Sequence, residues 1–419
     1  MKNILIISYY FPPLGMGGTQ RMLSLARYLP QFGWQPHILT VKDIAYHAHD
    51  PELLHELSSL PIVRTESLDL ARVLARFQSR LSEQRSNAFS YKSWKNLFLR
   101  LINFFMIPDN KILWNPFAQK AACNLINNIR FDLILSSGPP HSSHLLAMKL
   151  AKKFQIPWVA DFRDGWACGD FQQNRTRLHT IIDKRLQKEV LQKAHRIIAV
   201  SNGLAAALKA GQLTPVEVVT NGYNATDFDT DYQPTMQFEM LHVGSIGNFA
   251  LPDIFLNALR KFVMEVGDNA IRMRFIGADI TGELVQKIAA AGLTDYVQHA
   301  GYLVHKMAVS ELQKADLLIY LVTGRPSQGF VPGKTFEYLA ANRPVLAIAE
   351  RVEGVQLLLR NGATRLADPN SEEEILQALR LFYDEYKKQR VLQPDPNFAK
   401  QYERKKLVNK MANIFDSVI

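Results

Sequence analysis

The amino-acid sequence predicts an α/β chain of two doubly wound parallel-sheet domains in tandem, and three observations carry that prediction. The chain has 419 residues, too many for one core and enough for two domains of ordinary size. Short β-branched apolar runs alternate with helical patterns, as strands buried on both faces of a parallel sheet require. The alternation comes as two series, separated by "NGYNATDFDTDYQPT" (221–235), whose Asn, Asp, Thr and Gly mark a hinge. A content of 47% hydrophobic and 21% charged residues is globular and leaves no room for a long disordered tract.

In chain order, the first series of strands is expected at "NILIIS" (3–8), "QPHILTV" (35–41), "FDLILSS" (131–137), "PWVADF" (157–162) and "RIIAVS" (196–201). Between the first two, a helix is expected over 19–32. Met22, Leu25, Ala26 and Leu29 share one face there, Thr19 is placed to cap the start and Gly33 to end it, with Pro30 stopping or kinking it early. Helices are also expected over 144–154 and 182–194. The second series of strands starts afresh with "EMLHVGS" (239–245), then "IRMRFIG" (271–277), "VQHAGY" (297–302), "DLLIYLV" (316–322) and "RPVLAIA" (343–349). The expected divisions are a first domain over 1–220, a hinge over 221–238 and a second domain over 239–395. A terminal helical segment, 396–419, is expected to pack back on the first domain. No internal repeat of solenoid period is present.

Two cysteines, Cys123 and Cys168, form neither a disulfide framework nor a metal or redox pair, which points to a cytosolic chain. The run "ILIIS" is too short for a signal-peptide core, and no apolar run is long enough to span a membrane. Charge is uneven. Residues 1–220 carry 27 Lys and Arg against 15 Asp and Glu, whereas the rest of the chain carries 22 against 24. The positive field therefore belongs to the first half, which is expected to face an anionic partner.

The loop "YYFPPLGMGGTQRMLSLARYL" (9–29) follows the first strand. Gly15, Gly17 and Gly18 let the backbone approach a ligand, and the first amides of the next helix can meet a phosphate or a carboxylate. A dinucleotide fingerprint fits less well, because the first glycine comes late and the order is G-x-G-G. A tight turn with glycines for packing is the structural alternative. Ligands of doubly wound sheets bind beyond the carboxyl ends of the strands, and two such sheets can share a cleft.

Five stretches occur together at a recognisable spacing: the glycine loop, "SSGPPHSSHLLAMKLAKKFQIPWVADFRDGW", "VSNGLAAAL…VVTNGYNATDF", "HVGSIG" and "KTFEYLAANRPVLAIA". Together they resemble the bacterial retaining glycosyltransferases of family 4 (glycosyl transferases group 1), in the branch that builds surface and exopolysaccharides. The resemblance covers almost the whole chain, and its most specific piece is "GKTFEYLAANRPVLA" (333–347). It implies the GT-B architecture, two Rossmann-like domains facing a central cleft. The activity implied is transfer of a hexose-type sugar from a nucleoside-diphosphate sugar to a saccharide or lipid-diphosphate-linked acceptor, with closure of the cleft excluding water.

By this resemblance Glu337 accepts hydrogen bonds from the ribose hydroxyls, a task for an ionised two-oxygen acceptor. Lys334, three residues earlier on the same helical face, reaches the diphosphate as a point charge, and Arg325 is a second candidate for it. Gly17, Gly18, Gly244 and Ser245 complete the donor side. His141, at the start of a helix, is placed to bond the transferred sugar. On the acceptor side stand Arg21, Asp161, Arg163 and Asp164, with an Asp161–Arg163 or Arg163–Asp164 structural pair as the alternative. "PDNKILW" (108–114) is expected to fold over that side. No DxD triplet is present and no metal or other cofactor is expected. Nucleic acid is not expected as a partner.

Two departures qualify the resemblance. The family's first acidic position, eight residues before Glu337, is Gly329 here. The usual arginine and lysine after the first strand of the second domain are replaced by Ser245, Asn248 and Ala250, so donor contacts must come from backbone amides around Gly244 to Gly247, from Lys334 and from Arg325. A non-catalytic sugar-nucleotide-binding scaffold is therefore the second hypothesis. The stretch 90–114 alternates Lys92, Lys95 and Arg100 with Trp94, Phe98, Phe104 and Phe105, which suits a helix lying in an anionic membrane interface or packing on the first sheet. The expected location is the cytoplasm, either free or peripheral on the inner face of the cytoplasmic membrane.

Overall fold

The computed structural model describes residues 1–14, 17–42, 60–68, 106–167, 176–210, 213–228, 232, 236–247, 250, 252–267, 270–324, 326–390 and 392–419. Gly15, Cys168, Asn248, Arg325 and the basic aromatic stretch up to residue 105 lie outside them. The chain forms two compact units, Met1–Thr220 with Val408–Ile419, and Asn221–Leu407. Among the described residues no helix is long and apolar enough to cross a membrane.

Among the described residues the first unit is built on seven parallel strands: β1 (Lys2–Ile7), β2 (Trp34–Val41), β3 (Ile62–Thr65), β4 (Leu133–Gly138), β5 (Trp158–Phe162), β6 (Arg196–Ala199) and β7 (Val216–Val218). Their order is β3-β2-β1-β4-β5-β6-β7, so chain direction across the sheet reverses between β1 and β4, where Ile4 lies opposite Leu133 and Ile7 opposite Ser136. The continuous apolar runs become strands because helices cover both faces. Ile4 to Ile7 and Leu133 to Leu135 are all fully buried. Among the described residues the helices are α1 (Gly17–Tyr28), α2 (Asn115–Asn128), α3 (Ser142–Phe154), α4 (Arg177–Lys193) and α5 (Asn202–Lys209).

Several boundaries differ from the sequence expectation. Thr19 does not cap α1 but lies inside it, because the helix already starts at Gly17. Pro30 has no N–H for the helical ladder, and Leu29–Phe32 tightens into a 3-10 turn. Gly33 closes that turn in the left-handed region at φ 83°, as expected. The strands β3 and β7 escaped notice because they are short and half polar. Helix α4 starts five residues early, at a Thr176 cap whose side chain accepts from His179 N. The last residues of the chain complete this unit. Phe415 is buried edge-on to Trp34, and Asp416 Oδ1 accepts from Lys2 Nζ (2.7 Å) and Trp34 Nε1 (3.1 Å).

Among the described residues the second unit has six parallel strands, β8 (Phe238–Val243), β9 (Ile271–Ile276), β10 (Val297–Gly301), β11 (Leu317–Val322), β12 (Val345–Ala349) and β13 (Thr364–Ala367). Their order is β10-β9-β8-β11-β12-β13, with the reversal between β8 and β11. Among the described residues the flanking helices are α6 (Asp253–Val266), α7 (Leu284–Ala290), α8 (His305–Lys314), α9 (Lys334–Ala340), α10 (Glu353–Leu359), α11 (Glu372–Lys387) and α12 (Pro396–Lys400), while the last helix, α13 (Arg404–Asp416), begins in this unit and from Val408 belongs to the first. Both units are thus Rossmann-like. In such sheets a ligand sits beyond the carboxyl ends of the strands where the order reverses, which singles out Gly138 in one unit and Gly244 in the other.

Candidate active site

In the second unit the carboxyl end of β8 and the middle of β11 are joined by a side chain of α9. Tyr338 Oη accepts from Val243 N at 2.9 Å and donates to Ile319 O at 3.1 Å, while Tyr320 Oη meets Thr335 Oγ1 at 2.8 Å. These bonds fix α9 and leave Lys334 and Glu337, one turn apart, for other work. Lys334 Nζ lies 5.2 Å over the Tyr320 ring and 3.5 Å from Leu321 O. Gly244, at φ 144°, makes room for it, since a Cβ there would stand 3.0 Å from Nζ. Gly277 is more constrained, because its Cβ would come within 2.1 Å of Gly244 O. Burial pushes the Lys334 ammonium down to about 7, against the opposing pull of Glu337. Beneath it His242 is fully buried and donates from Nδ1 to Ile319 O at 2.9 Å, and burial and Lys334 keep the ring neutral.

Glu337 Oε1 accepts from His305 Nε2 at 2.9 Å and lies 3.9 Å from Arg404 Nη2, and Asp227 Oδ2 stands 3.6 Å from His305 Nδ1. Burial alone would raise the Glu337 carboxyl, but His305, Arg404 and Lys334 outweigh it and hold the group below the usual carboxylate range. The residue is therefore an ionised acceptor. The backbone offers less than expected. The amides of Gly244, Ile246 and Gly247 donate to Ile276 O, Ala278 O and Ala250 O, so within that stretch Ser245 N is the one with no backbone partner among the described residues.

In the first unit Arg21 and Asp161 find each other. Arg21 Nε and Nη2 grip Asp161 Oδ2 and Oδ1 at 3.1 and 2.8 Å, Ser137 Oγ donates to Oδ2 at 2.9 Å, and Arg21 Nη1 donates to Thr220 O at 2.8 Å. Asp161 is fully buried with both oxygens engaged, so its ion-pair partner is Arg21 and not the Arg163 of the Asp161–Arg163 alternative. Arg163 instead packs on the first turn of α1 and donates from Nη2 to Pro139 O. A Cβ on Gly18 would stand 1.6 Å from Arg163 Nη1. Gly17 opens the same helix, and half-buried Asp164 follows Arg163.

His141 immediately precedes α3 and stacks on Trp166, with centroids 5.1 Å apart and planes at 2°. Gly138 is required beside it, as a Cβ would fall 2.5 Å from His144 Nε2 and 3.1 Å from His141 Nδ1. His144 packs in the core, stacked on Phe162, bonded to Ser136 Oγ and pushed down to about 3 by burial and Arg163. The start of α3 is capped by Asp109, whose Oδ2 accepts from Ser142 N (2.9 Å) and Oδ1 from Ser142 Oγ (2.8 Å). Sequence reasoning missed Asp109, Asp227, His305 and Arg404. Only His305, a histidine opening a helix just after a strand end, left a local signal.

The sequence matches the family profile for Glycosyltransferase Family 4 over residues 16–227 and that for Glycosyl transferases group 1 over 237–385. A search of curated proteins gives no match. Among solved structures the chain is similar to a glycosyltransferase from Rickettsia africae ESF-5, at 16% identity and TM-score 0.64 over 100% of this chain and 98% of that one. It is also similar to HepE from Anabaena, solved with UDP-glucose, at 14% identity and TM-score 0.66 over 100% of both chains. A mutant of S. aureus TarM, solved with fondaparinux, alpha-GlcNAc-glycerol and UDP, aligns at 11% identity and TM-score 0.63 over 99% of this chain and 100% of that one. Identities this low establish a shared fold.

Proposed function

The chain belongs to Glycosyltransferase Family 4, and on that premise we infer that it moves a hexose-type sugar from a nucleoside-diphosphate sugar to a saccharide or lipid-diphosphate-linked acceptor with retention, in cell-surface polysaccharide biosynthesis. The observation that carries the reading is the pair on α9 beside the strand reversal. Lys334 supplies an ammonium for a diphosphate, and Glu337 an ionised carboxylate for a ribose. The presence of UDP-glucose in the Anabaena neighbour and of UDP in TarM supports a nucleotide sugar as donor.

As the bond from the anomeric carbon to the diphosphate breaks, negative charge grows on the leaving group. Lys334, joined by Arg325, stabilises that charge more than the ground state. The acceptor oxygen bonds the anomeric carbon on the face the leaving group vacates, and its proton passes to the departing phosphate oxygen. His141 contacts the sugar, with Trp166 holding its ring in place. Arg163 and Asp164 meet the acceptor, while the Arg21–Asp161 pair holds the strand end beneath them. The reading needs no metal, since fixed cations meet the charge. It places the protein at the cytoplasmic membrane surface, where lipid-linked acceptors reside.

Gly329, standing where the family's first acid is expected, keeps the scaffold reading alive, and one experiment separates the two. Incubated with nucleotide sugars and no acceptor, a transferase releases nucleoside diphosphate slowly, and Lys334→Ala abolishes that release while the protein stays folded. Glu337→Ala weakens donor binding by about 1.5 to 3 kcal/mol, the range for a bond to a charged group. Donor binding without release by the unaltered protein would establish the scaffold instead.

A further inference from the structure

The carboxylate assigned above to the ribose is itself held from behind. His305 Nε2 donates to Glu337 Oε1, and the opposite ring nitrogen faces Asp227, which is tied to Asn224 Nδ2 at 3.0 Å. Arg404 adds its charge to the same Oε1. The four side chains come from four places: the first residue of α8, the middle of α9, the first residue of α13 and the short turn Ala225–Asp227. All are largely shielded, with side-chain exposures from 9 to 21%.

This geometry divides the work of the carboxylate. Oε1 is engaged, whereas Oε2 receives no hydrogen bond among the described residues. A donor fixed on one oxygen fixes the plane of the group and therefore the direction in which the other oxygen is offered. It also acts against a collapse. Lys334 shares the helical face of Glu337, and a free glutamate there would close on the ammonium and neutralise the charge meant for a diphosphate. His305 holds the carboxylate on its other side, and no ion pair joins Glu337 to Lys334 among the described residues.

We propose that His305, braced by Asp227, is a positioning residue that presents Glu337 Oε2 to the 2′- and 3′-hydroxyls of a bound nucleotide and so sets a preference for ribonucleotides over 2′-deoxyribonucleotides. The inference rests on the reading of Glu337 as the ribose acceptor. Calorimetric titration of the full chain with UDP, GDP and ADP selects the tightest binder, which is then compared with its 2′-deoxy counterpart. The unaltered protein is expected to prefer the ribonucleotide by about tenfold, the worth of one bond to a charged acceptor. His305→Ala is expected to remove most of that preference by weakening the ribonucleotide alone. His305→Gln, whose amide can reach Oε1, restores most of it. Should the alanine variant fail to fold, Asp227→Asn is expected to lower the preference about threefold, a fraction of the same bond. A preference unchanged in His305→Ala, or in Asp227→Asn where only that variant folds, overturns the proposal and leaves Glu337 untouched if Glu337→Ala still weakens binding. If Glu337→Ala binds like the unaltered protein, or none of the three nucleotides binds, the ribose reading falls and the positioning role with it.

Discussion

At the scale of single residues, Lys334 has the most to gain from a ligand. Its ammonium is lowered to about 7 against 10.5 for an ordinary lysine, first because burial penalises the charge. The unfolded chain therefore holds a proton that the folded chain lacks throughout that window, so this group's contribution to stability rises with pH between the two values and is least below the lower one. Lys334→Met removes the titration. Its melting temperature is expected to exceed that of the unaltered protein most near pH 7, with the margin narrowing towards about pH 10, as thermal unfolding across a pH series would read. A diphosphate beside the ammonium favours the charged form, so nucleotide binding near about pH 8 should draw a proton from solution. Titrations in two buffers of different ionisation enthalpy would then give different heats, and equal heats would exclude it.

At the scale of elements, the beginning of α3 shows what local sequence can and cannot disclose. The helix was expected over 144–154 from its apolar pattern. It starts at Ser142 because Asp109, 33 residues away, supplies the cap. Asp109→Ala is expected to cost about 1 kcal/mol, as lost caps do, and urea unfolding would measure it. The same contrast runs through both units. Continuous apolar strands such as 317–322 were legible because burial on both faces dictates their composition, whereas β3, β7 and β13 are short and half polar. Within the candidate site, Lys334 and Glu337 were named through the family resemblance of "GKTFEYLAANRPVLA", and one helix carries both. The Arg21–Asp161 clasp joins residues 140 apart and the His305–Glu337 bond residues 32 apart, separations that no periodicity encodes.

At the scale of the whole molecule, charge is divided by position along the chain. Residues 1–220 hold 27 basic against 15 acidic side chains, and the remainder is close to balance. If the first unit docks on a membrane, cosedimentation with liposomes should require anionic lipid and fall as salt rises from about 50 to 500 mM. Protein that stays in the supernatant at low salt would point to a soluble acceptor. The partition of the chain also bears on its birth. The buried Phe415 and the Asp416 bonds to Lys2 and Trp34 belong to the first unit, yet they are translated after every residue of the second. Domains generally mature in the order the ribosome delivers them. Here the later unit can finish first, and the earlier one waits with Trp34 uncovered, a client for chaperones, until its closing helix emerges.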